Sequence, residues 1–511
     1  MYPHNITIIL IMLACAQLTR PCPTYPQPTY LDQSDSLLIK TYQAVDDMIQ
    51  SKMEQYGIPS FVASVVYGDE IVWSKAYGLL NPANPQSSPP LTLDSGLRIA
   101  SVTKLFTDLM MYQLRDAHII DSIDDPLSKY LTNFSVNNPY VATSKRPITL
   151  RQLSSHQSGL AREIPCSQMT DPVECSLQAV LSRVARQYLV VPQYSITHYS
   201  NLGVSLLGHA LESAINDGDD RSYEKYVTQS ILEPLGMINS TFDYQDYASD
   251  QLAIGVNKLP NGSYQAIAPS NNGWGNPSGG LYSTARDMSR FMSFWLTQYS
   301  SVLDPATVNE AMEPVSVVSN GAMAYGTPFE MYYDTNNEVW LHCKLGILNG
   351  FRAQVAMARP FKLGVFFAAM MNFDTTDVFT QEALDILLPT YQYLLEQQQH
   401  QDQSIIIPNS NIFIVYGDGL GHLFAILNGA APLYNLTTFQ VPASNFMDMD
   451  MYIDIDMDTS YILRLMISNP DDQICKNIVD GEDYELIYFT PDPNNNNQCS
   501  SVFVMGQDML R

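Results

Sequence analysis

Ser101 and Lys104 stand three residues apart at the head of a stretch with helical character, Ser101 to His118. Positions i and i+3 of a helix share a face, so the serine hydroxyl and the lysine amine meet across one turn. A serine nucleophile served by a lysine base requires that arrangement, because an unassisted hydroxyl attacks poorly at neutral pH. A helix N-terminus adds backbone N–H groups that have no intrahelical partner, and these suit a developing oxyanion. The same tetrapeptide also arises as an N-cap serine followed by a surface lysine, so the pair alone assigns no chemistry. Two further groups of residues bear on it. Tyr199-Ser200-Asn201 precedes the apolar-periodic segment Leu202 to Ile215. Lys344-Leu345-Gly346 follows the extended stretch Glu338 to Cys343 and runs on as Ile347-Leu348-Asn349-Gly350-Phe351.

The order Ser-x-x-Lys, Tyr-x-Asn, Lys-x-Gly resembles the penicillin-recognising serine hydrolases, which comprise class C beta-lactamases, D-Ala-D-Ala peptidases and related esterases. The tyrosine of the second motif makes the class C branch the closer match. Surrounding segments agree. Tyr56-Gly57-Ile58-Pro59 leads into a hairpin with Gly68-Asp69-Glu70 between two apolar runs. Thr149-Leu150-Arg151-Gln152-Leu153-Ser154-Ser155-His156-Gln157-Ser158-Gly159-Leu160 and Pro277-Ser278-Gly279-Gly280-Leu281-Tyr282-Ser283-Thr284-Ala285 are similar to further family segments. The resemblance spans roughly Leu37 to Leu388 and is greatest to the eukaryotic secreted beta-lactamase-like proteins of unassigned substrate. It implies an α+β fold of the beta-lactamase/transpeptidase type: an antiparallel sheet with flanking helices, packed on a helical lobe, with the site between them.

The resemblance also implies roles. Ser101 is the nucleophile. Lys104 takes its proton, and a nearby cation, for which Lys344 is the candidate, favours the neutral amine this requires. Tyr199 relays the proton to the leaving group. Asn201 orients Lys104 and binds the acyl side of the substrate. Lys344, Gly346 and Ile347 line the substrate site, and the N–H groups of Ser101 and Ile347 form the oxyanion hole. The implied reaction is two-step acyl transfer through a Ser101 acyl-enzyme, on an ester, amide or peptide. Position 345 departs from the family: Leu345 stands where Thr or Ser is frequent, and a hydroxyl there helps bind a substrate carboxylate. Uncharged esters and amides are therefore expected to be better substrates than beta-lactams or D-Ala-D-Ala peptides. A catalytically silent binding or scaffold protein on the same fold is the alternative. Trp274 and Phe351 are open to two roles, cleft surface or core.

The chain has 511 residues and a formal charge of −26. That charge disfavours nucleic-acid backbones and anionic membrane surfaces as partners, and it also serves solubility. The expected partner is a small-molecule or peptide substrate; the sequence does not specify an oligomeric state. Ile6 to Cys15 is apolar but shorter than the about 20 residues that span a bilayer. Residues 1–18 therefore read as a secretory signal, cut near Ala16, and the protein as extracellular. Six cysteines remain: Cys22, Cys166, Cys175, Cys343, Cys475 and Cys499. Cys166/Cys175 and Cys475/Cys499 each bracket a short segment and read as local disulfides, buried thiols being the other possibility. Glycosylation sequons begin at Asn133, Asn239, Asn261 and Asn435.

Ser36 to Gln55 has helical spacing, with Leu37, Ile39, Val45, Met48, Ile49 and Met53 as its apolar face. Residues 35–398 read as the hydrolase domain. The glutamine-rich stretch Gln397 to Gln403 lacks apolar residues and reads as a linker. Beyond it, residues 405–511 read as a small antiparallel all-β domain, because Met447 to Met457 alternates apolar and mostly acidic positions. That acidic stripe is a solvated face or a Ca²⁺ site; carboxylates about 7 Å apart along a strand fit one compact ion poorly. No cofactor is implied. The eight histidines are scattered without a metal-ligand spacing. His342 shares a strand face with Lys344 and either lines the cleft or packs behind it.

Overall fold

In the computed structural model the described residues are 25–402 apart from 141–145, 217–220, 299–301, 319–320, 328 and 374–378, together with a set of strands beyond residue 412. The chain divides into two compact units, one spanning Tyr25–Gln399 and one that takes in His400–Arg511.

The first unit is built on an eight-stranded antiparallel sheet. Its strands are β1 (Phe61–Tyr67), β2 (Glu70–Tyr77), β7 (Pro314–Val317), β8 (Met323–Gly326), β9 (Glu330–Asp334), β10 (Val339–Leu348), β11 (Phe351–Ala358) and β12 (Leu363–Ala369). Two short pairs account for the intervening strands β3 (Leu97–Arg98), β4 (Val256–Lys258), β5 (Tyr264–Ala266) and β6 (Tyr282–Ser283), with β3 on β6 and β4 on β5. The order across the sheet is β2-β1-β12-β11-β10-β9-β8-β7. The first strand therefore inserts beside the last, closing the domain on itself.

The principal helices are α1 (Ser36–Tyr56), α2 (Lys104–Asp116), α3 (Leu150–Ser154), α4 (Asn201–Ile215), α5 (Ala285–Thr297) and α6 (Phe379–Asp402). The alternation of β1 and β12 sorts side chains between two cores. Phe61, Ala63 and Val65 with Leu363, Val365 and Phe367 face α1 and α6. Val62 and Val66 with Phe366 and Ala368 face the core of α5 and the helical lobe. A strand covered on both faces reads as a continuous apolar run, which is the pattern of Phe61 to Val66. Asp35 caps α1 by accepting from Leu37 N–H, and Gly57 ends it at φ +66°.

Three local expectations are corrected. The buried stripe of α1 is Leu38, Tyr42, Val45 and Ile49; Leu37 and Ile39 are exposed. The stripe repeats at three and four residues, and hydrophobicity alone does not set its phase. The glutamine-rich stretch is helical to Asp402, since glutamine and glutamate favour helix whether or not a face is buried. Ser101 lies in a 3₁₀ turn, Ala100–Thr103, that feeds α2.

Cys166 and Cys175 form a disulfide and Cys343 is a buried thiol. Cys475 lies outside the described residues, as does the signal segment. In the second unit, Phe413–Gly417, Leu423–Leu427 and Tyr434–Asn435 form one sheet. Met449–Asp456, Ser460–Ile467, Leu486–Asp492, Asn495–Val504 and Gln507–Asp508 form another, with every pairing antiparallel. The side chains of its acidic stripe lie outside the described residues. Among the described residues no helix is long and apolar enough to cross a membrane.

Helix α2 buries nearly every side chain, including Asp108 one turn past Lys104. Its Oδ1 finds no hydrogen-bond partner among the described residues. Burial lifts the carboxyl to about 7, and Ser154, Lys104 and Lys344 offset only part of that rise. The native state then holds a proton that the unfolded chain releases near pH 4, so stability falls as pH rises from about 4 to about 7 and is level above. The penalty on the ionised native state is about 4 kcal/mol. Replacing Asp108 by Asn removes it. The stability difference between Asp108→Asn and the parent, measured by urea unfolding, should swing by about that amount in the variant's favour between pH 4 and pH 8; a pH-independent difference contradicts a neutral Asp108.

Candidate active site

The 3₁₀ turn holds Ser101 between β10 of the sheet and the first turn of α2. Thr103 Oγ1 donates to Ala100 O at 2.6 Å and accepts from Leu281 N at 3.1 Å, pinning the turn to the segment that precedes α5. Ala100, just before the nucleophile, sits at φ +50°. A non-glycine residue there stores about 1–3 kcal/mol of strain that the surroundings must hold. The surroundings include β10: a Cβ added to Gly346 would lie 2.2 Å from Ile99 O and 3.0 Å from Ser101 N. Glycine at 346 thus lets the strand run directly against the nucleophile's backbone.

Lys104 begins α2 and is buried. Its Nζ donates to Ser101 Oγ at 3.1 Å, to Asn201 Oδ1 at 2.8 Å and to Ser278 O at 2.6 Å. Three acceptors saturate an ammonium and fix its position. Burial pushes this amine below its ordinary range; the Lys344 charge adds to that, and Tyr199 opposes it.

Tyr199 and Asn201 flank the N-cap of α4. Ser200 accepts from Gly203 N at 2.8 Å, and its own N–H donates to His156 Nδ1 at 3.2 Å. Asn201 is therefore the first helical residue, with its amide turned toward Lys104, while Asn201 N donates to Arg162 O at 2.7 Å. Asn201 Nδ2 donates to Glu163 Oε2 at 3.0 Å. The Tyr199 ring lies 4.2 Å from the His156 ring. Three cations gather on it: Lys104 Nζ at 4.9 Å from its centre, Lys344 Nζ at 5.0 Å and the Arg162 guanidinium at 4.9 Å. Burial alone would raise the phenol, but Lys104 and Lys344 outweigh it and hold the hydroxyl below its ordinary value. His156 is driven well down, by burial first and then by the same lysines, so its ring is neutral.

Lys344 on β10 is buried and paired with Glu330 on β9, Nζ to Oε1 at 2.5 Å. Burial would lower this amine, but Glu330 and then Tyr199 raise it above its ordinary value, so Lys344 stays charged. One lysine is thus biased toward the neutral form and the other toward the charged form across one tyrosine.

Ser101, Lys104, Tyr199, Asn201 and Lys344 meet at one place, and Gly346 abuts the nucleophile. Ile347 is two-fifths exposed on the same strand. His342 lies away from the cleft, bonded to Met312 O at 2.9 Å and edge-on to Phe329. Trp274 and Phe351 are core residues; Trp274 stacks on His209. Glu330, His156, Glu163, Arg162 and the Ser278 carbonyl were not anticipated. His156 and Ser278 had a signal, their places in the family-like segments Thr149 to Leu160 and Pro277 to Ala285. Among the described residues no group of three His, Cys, Asp or Glu could hold a metal ion.

The family profile described as Beta-lactamase matches residues 45–389. The chain belongs to the beta-lactamase family. It is 44% identical to Beta-lactamase-like protein 2 of Dictyostelium discoideum, covering 100% of this chain and 94% of that one. It is 29% identical to Putative beta-lactamase-like 1 of Homo sapiens over 74% of each chain. Its fold is that of a class C beta-lactamase, at a TM-score of 0.56 and 19% identity over 75% of this chain and 100% of that one. The octameric penicillin-binding protein homologue from Pyrococcus abyssi superposes with a TM-score of 0.58 at 18% identity, over 91% and 98%. The beta-lactamase fold thus accounts for the architecture around the cleft, and the family supports a serine-hydrolase type of role.

The Glu330 carboxylate raises both Lys104 and Tyr199. As long as Lys344 stays charged, removing Glu330 lowers both, so the base is free at lower pH. Glu330→Gln should move the acidic limb of the kcat/KM–pH profile toward lower pH, and the loss of Lys344's counter-charge should destabilise the fold by about 3–5 kcal/mol. A limb that stays put or moves up contradicts the proposed electrostatics.

Proposed function

We propose that this protein is a serine hydrolase that works through an acyl-enzyme on Ser101, with an uncharged ester or amide as substrate. The observation that carries the reading is the 3.1 Å contact between Ser101 Oγ and the Lys104 amine, which burial biases toward the neutral form that can take a proton. In the first step Ser101 Oγ bonds to the substrate carbonyl carbon while its proton passes to the Lys104–Tyr199 pair. The carbonyl oxygen becomes an oxyanion that faces the N–H groups of Ser101 and Ile347. The tetrahedral intermediate collapses, and Tyr199 returns the proton to the departing oxygen or nitrogen. Water then repeats the sequence in reverse roles and frees Ser101. Lys344 remains charged and keeps the Tyr199 oxygen available as an acceptor.

Two features support an uncharged substrate. Position 345 offers no hydroxyl, and the Lys344 charge is already met by Glu330 at 2.5 Å. A substrate carboxylate therefore finds a neutralised pair. An extracellular setting belongs to the same proposal. It rests on the apolar segment Ile6 to Cys15 and on the Cys166–Cys175 disulfide.

The test is turnover of matched substrates. Simple esters should be hydrolysed faster than penicillins or D-Ala-D-Ala peptides, and Leu345→Thr should narrow the gap. The added hydrogen bond to a charged group contributes about 1.5–3 kcal/mol, or roughly one to two decades in specificity. Faster hydrolysis of penicillins than of esters by the parent enzyme contradicts the substrate class. Absence of turnover on every one of these substrates favours the catalytically silent reading.

A further inference from the structure

Beside the nucleophile turn lies a small, largely enclosed cavity. Arg98, on β3 and three residues before Ser101, lines it together with Gly255, Ile267, Ser270, Tyr282 and Asn349. The space leaves about 10 Å³ for the centre of a water-sized sphere, which is room for one water or one small ion. No acidic side chain lines it.

The Arg98 guanidinium stands 5.5 Å from the centre of the Tyr282 ring. Its Nε and Nη2 are buried and have no hydrogen-bond partner among the described residues. The Tyr282 hydroxyl is already spent on Ser270 O at 2.8 Å. Arg98 also makes no ion pair among the described residues, in contrast to Arg115, Arg151 and Arg286, each of which meets a carboxylate. A guanidinium keeps its charge under essentially all conditions and offers its N–H groups as a rigid fork. Leaving two of them unmet beside an apolar wall is costly.

We propose that this cavity is a binding site for a single small monovalent anion of the halide class, chloride being the abundant one, held in the Nε/Nη2 fork of Arg98. A water could accept from both N–H groups, but it leaves the charge uncompensated and brings two hydrogens that need acceptors of their own. A halide accepts from both, neutralises the guanidinium and carries no hydrogens. The anion would tie β3 to the turn after β10, which contains Asn349, the strand that carries Lys344 and Gly346. It lies outside the substrate cleft and is independent of which ester or amide is hydrolysed.

The test is diffraction from the full chain crystallised with bromide in place of chloride. An anomalous difference peak in the cavity, within hydrogen-bonding range of Arg98 Nε and Nη2, is expected. Water density there without an anomalous signal overturns the proposal. In solution, stability should rise with chloride at constant ionic strength made up with gluconate. Once the site is saturating, each tenfold increase in chloride should raise the folded-to-unfolded ratio tenfold. Arg98→Met removes charge and fork, and Arg98→Lys keeps only the charge; both should lose that dependence. Equal stability of the parent in chloride and gluconate also overturns the proposal, whether or not either variant folds.

Discussion

Two lysines buried around one tyrosine form the constraint from which the rest of the site follows. Lys104 and Lys344 are both nearly inaccessible, and both contact the Tyr199 ring. Two uncompensated ammonium groups in so small a volume are not tolerated. The structure resolves the conflict asymmetrically. Glu330 is placed against Lys344 and holds it charged; Lys104 receives three hydrogen-bond acceptors of which none is a carboxylate. Lys104 is thereby the group that can give up its proton. The same two positive charges draw the Tyr199 hydroxyl down, so the acceptor and the donor for proton transfer adjoin each other.

The fold is arranged to hold those three groups from different directions. Lys104 comes from the first turn of α2, Tyr199 from the loop capped by Ser200, Lys344 from the middle of β10, and Glu330 from the neighbouring strand β9, where it pairs in register with Cys343. The turn carrying Ser101 is gripped between β10 and the segment before α5. Two local costs mark the grip: the left-handed Ala100 and the requirement for glycine at 346. Strain concentrated beside a nucleophile is typical of sites that a rigid scaffold must position.

Much of this was legible in the sequence because it is local. Ser101 and Lys104 are linked by one turn. Ser200 is a plain N-cap that fixes Tyr199 and Asn201 on either side of a helix start. The apolar runs at Phe61–Val66 and Leu363–Met371 announce strands buried on both faces. What stayed hidden depends on tertiary contact or phase. Glu330 is fourteen residues from Lys344 and acts through strand pairing. Arg162 and Glu163 reach the site because their loop closes over the start of α4. The phase of α1 is set by Leu38 and Tyr42 meeting the sheet, and a count of apolar residues does not separate them from Leu37 and Ile39. His342 sits two residues from Lys344 yet points into the core, because Phe329 and Met312 occupy the side it faces.

The most direct measurement is peptide mapping by mass spectrometry after the full chain has reacted with a fluorophosphonate, which phosphonylates activated serines. The account predicts a single adduct on Ser101, formed at least ~10²-fold more slowly when Lys104 is replaced by Ala, the lower range for removal of a general base. An unmodified Ser101 in folded protein, or an adduct on another serine that survives Ser101→Ala, would contradict it.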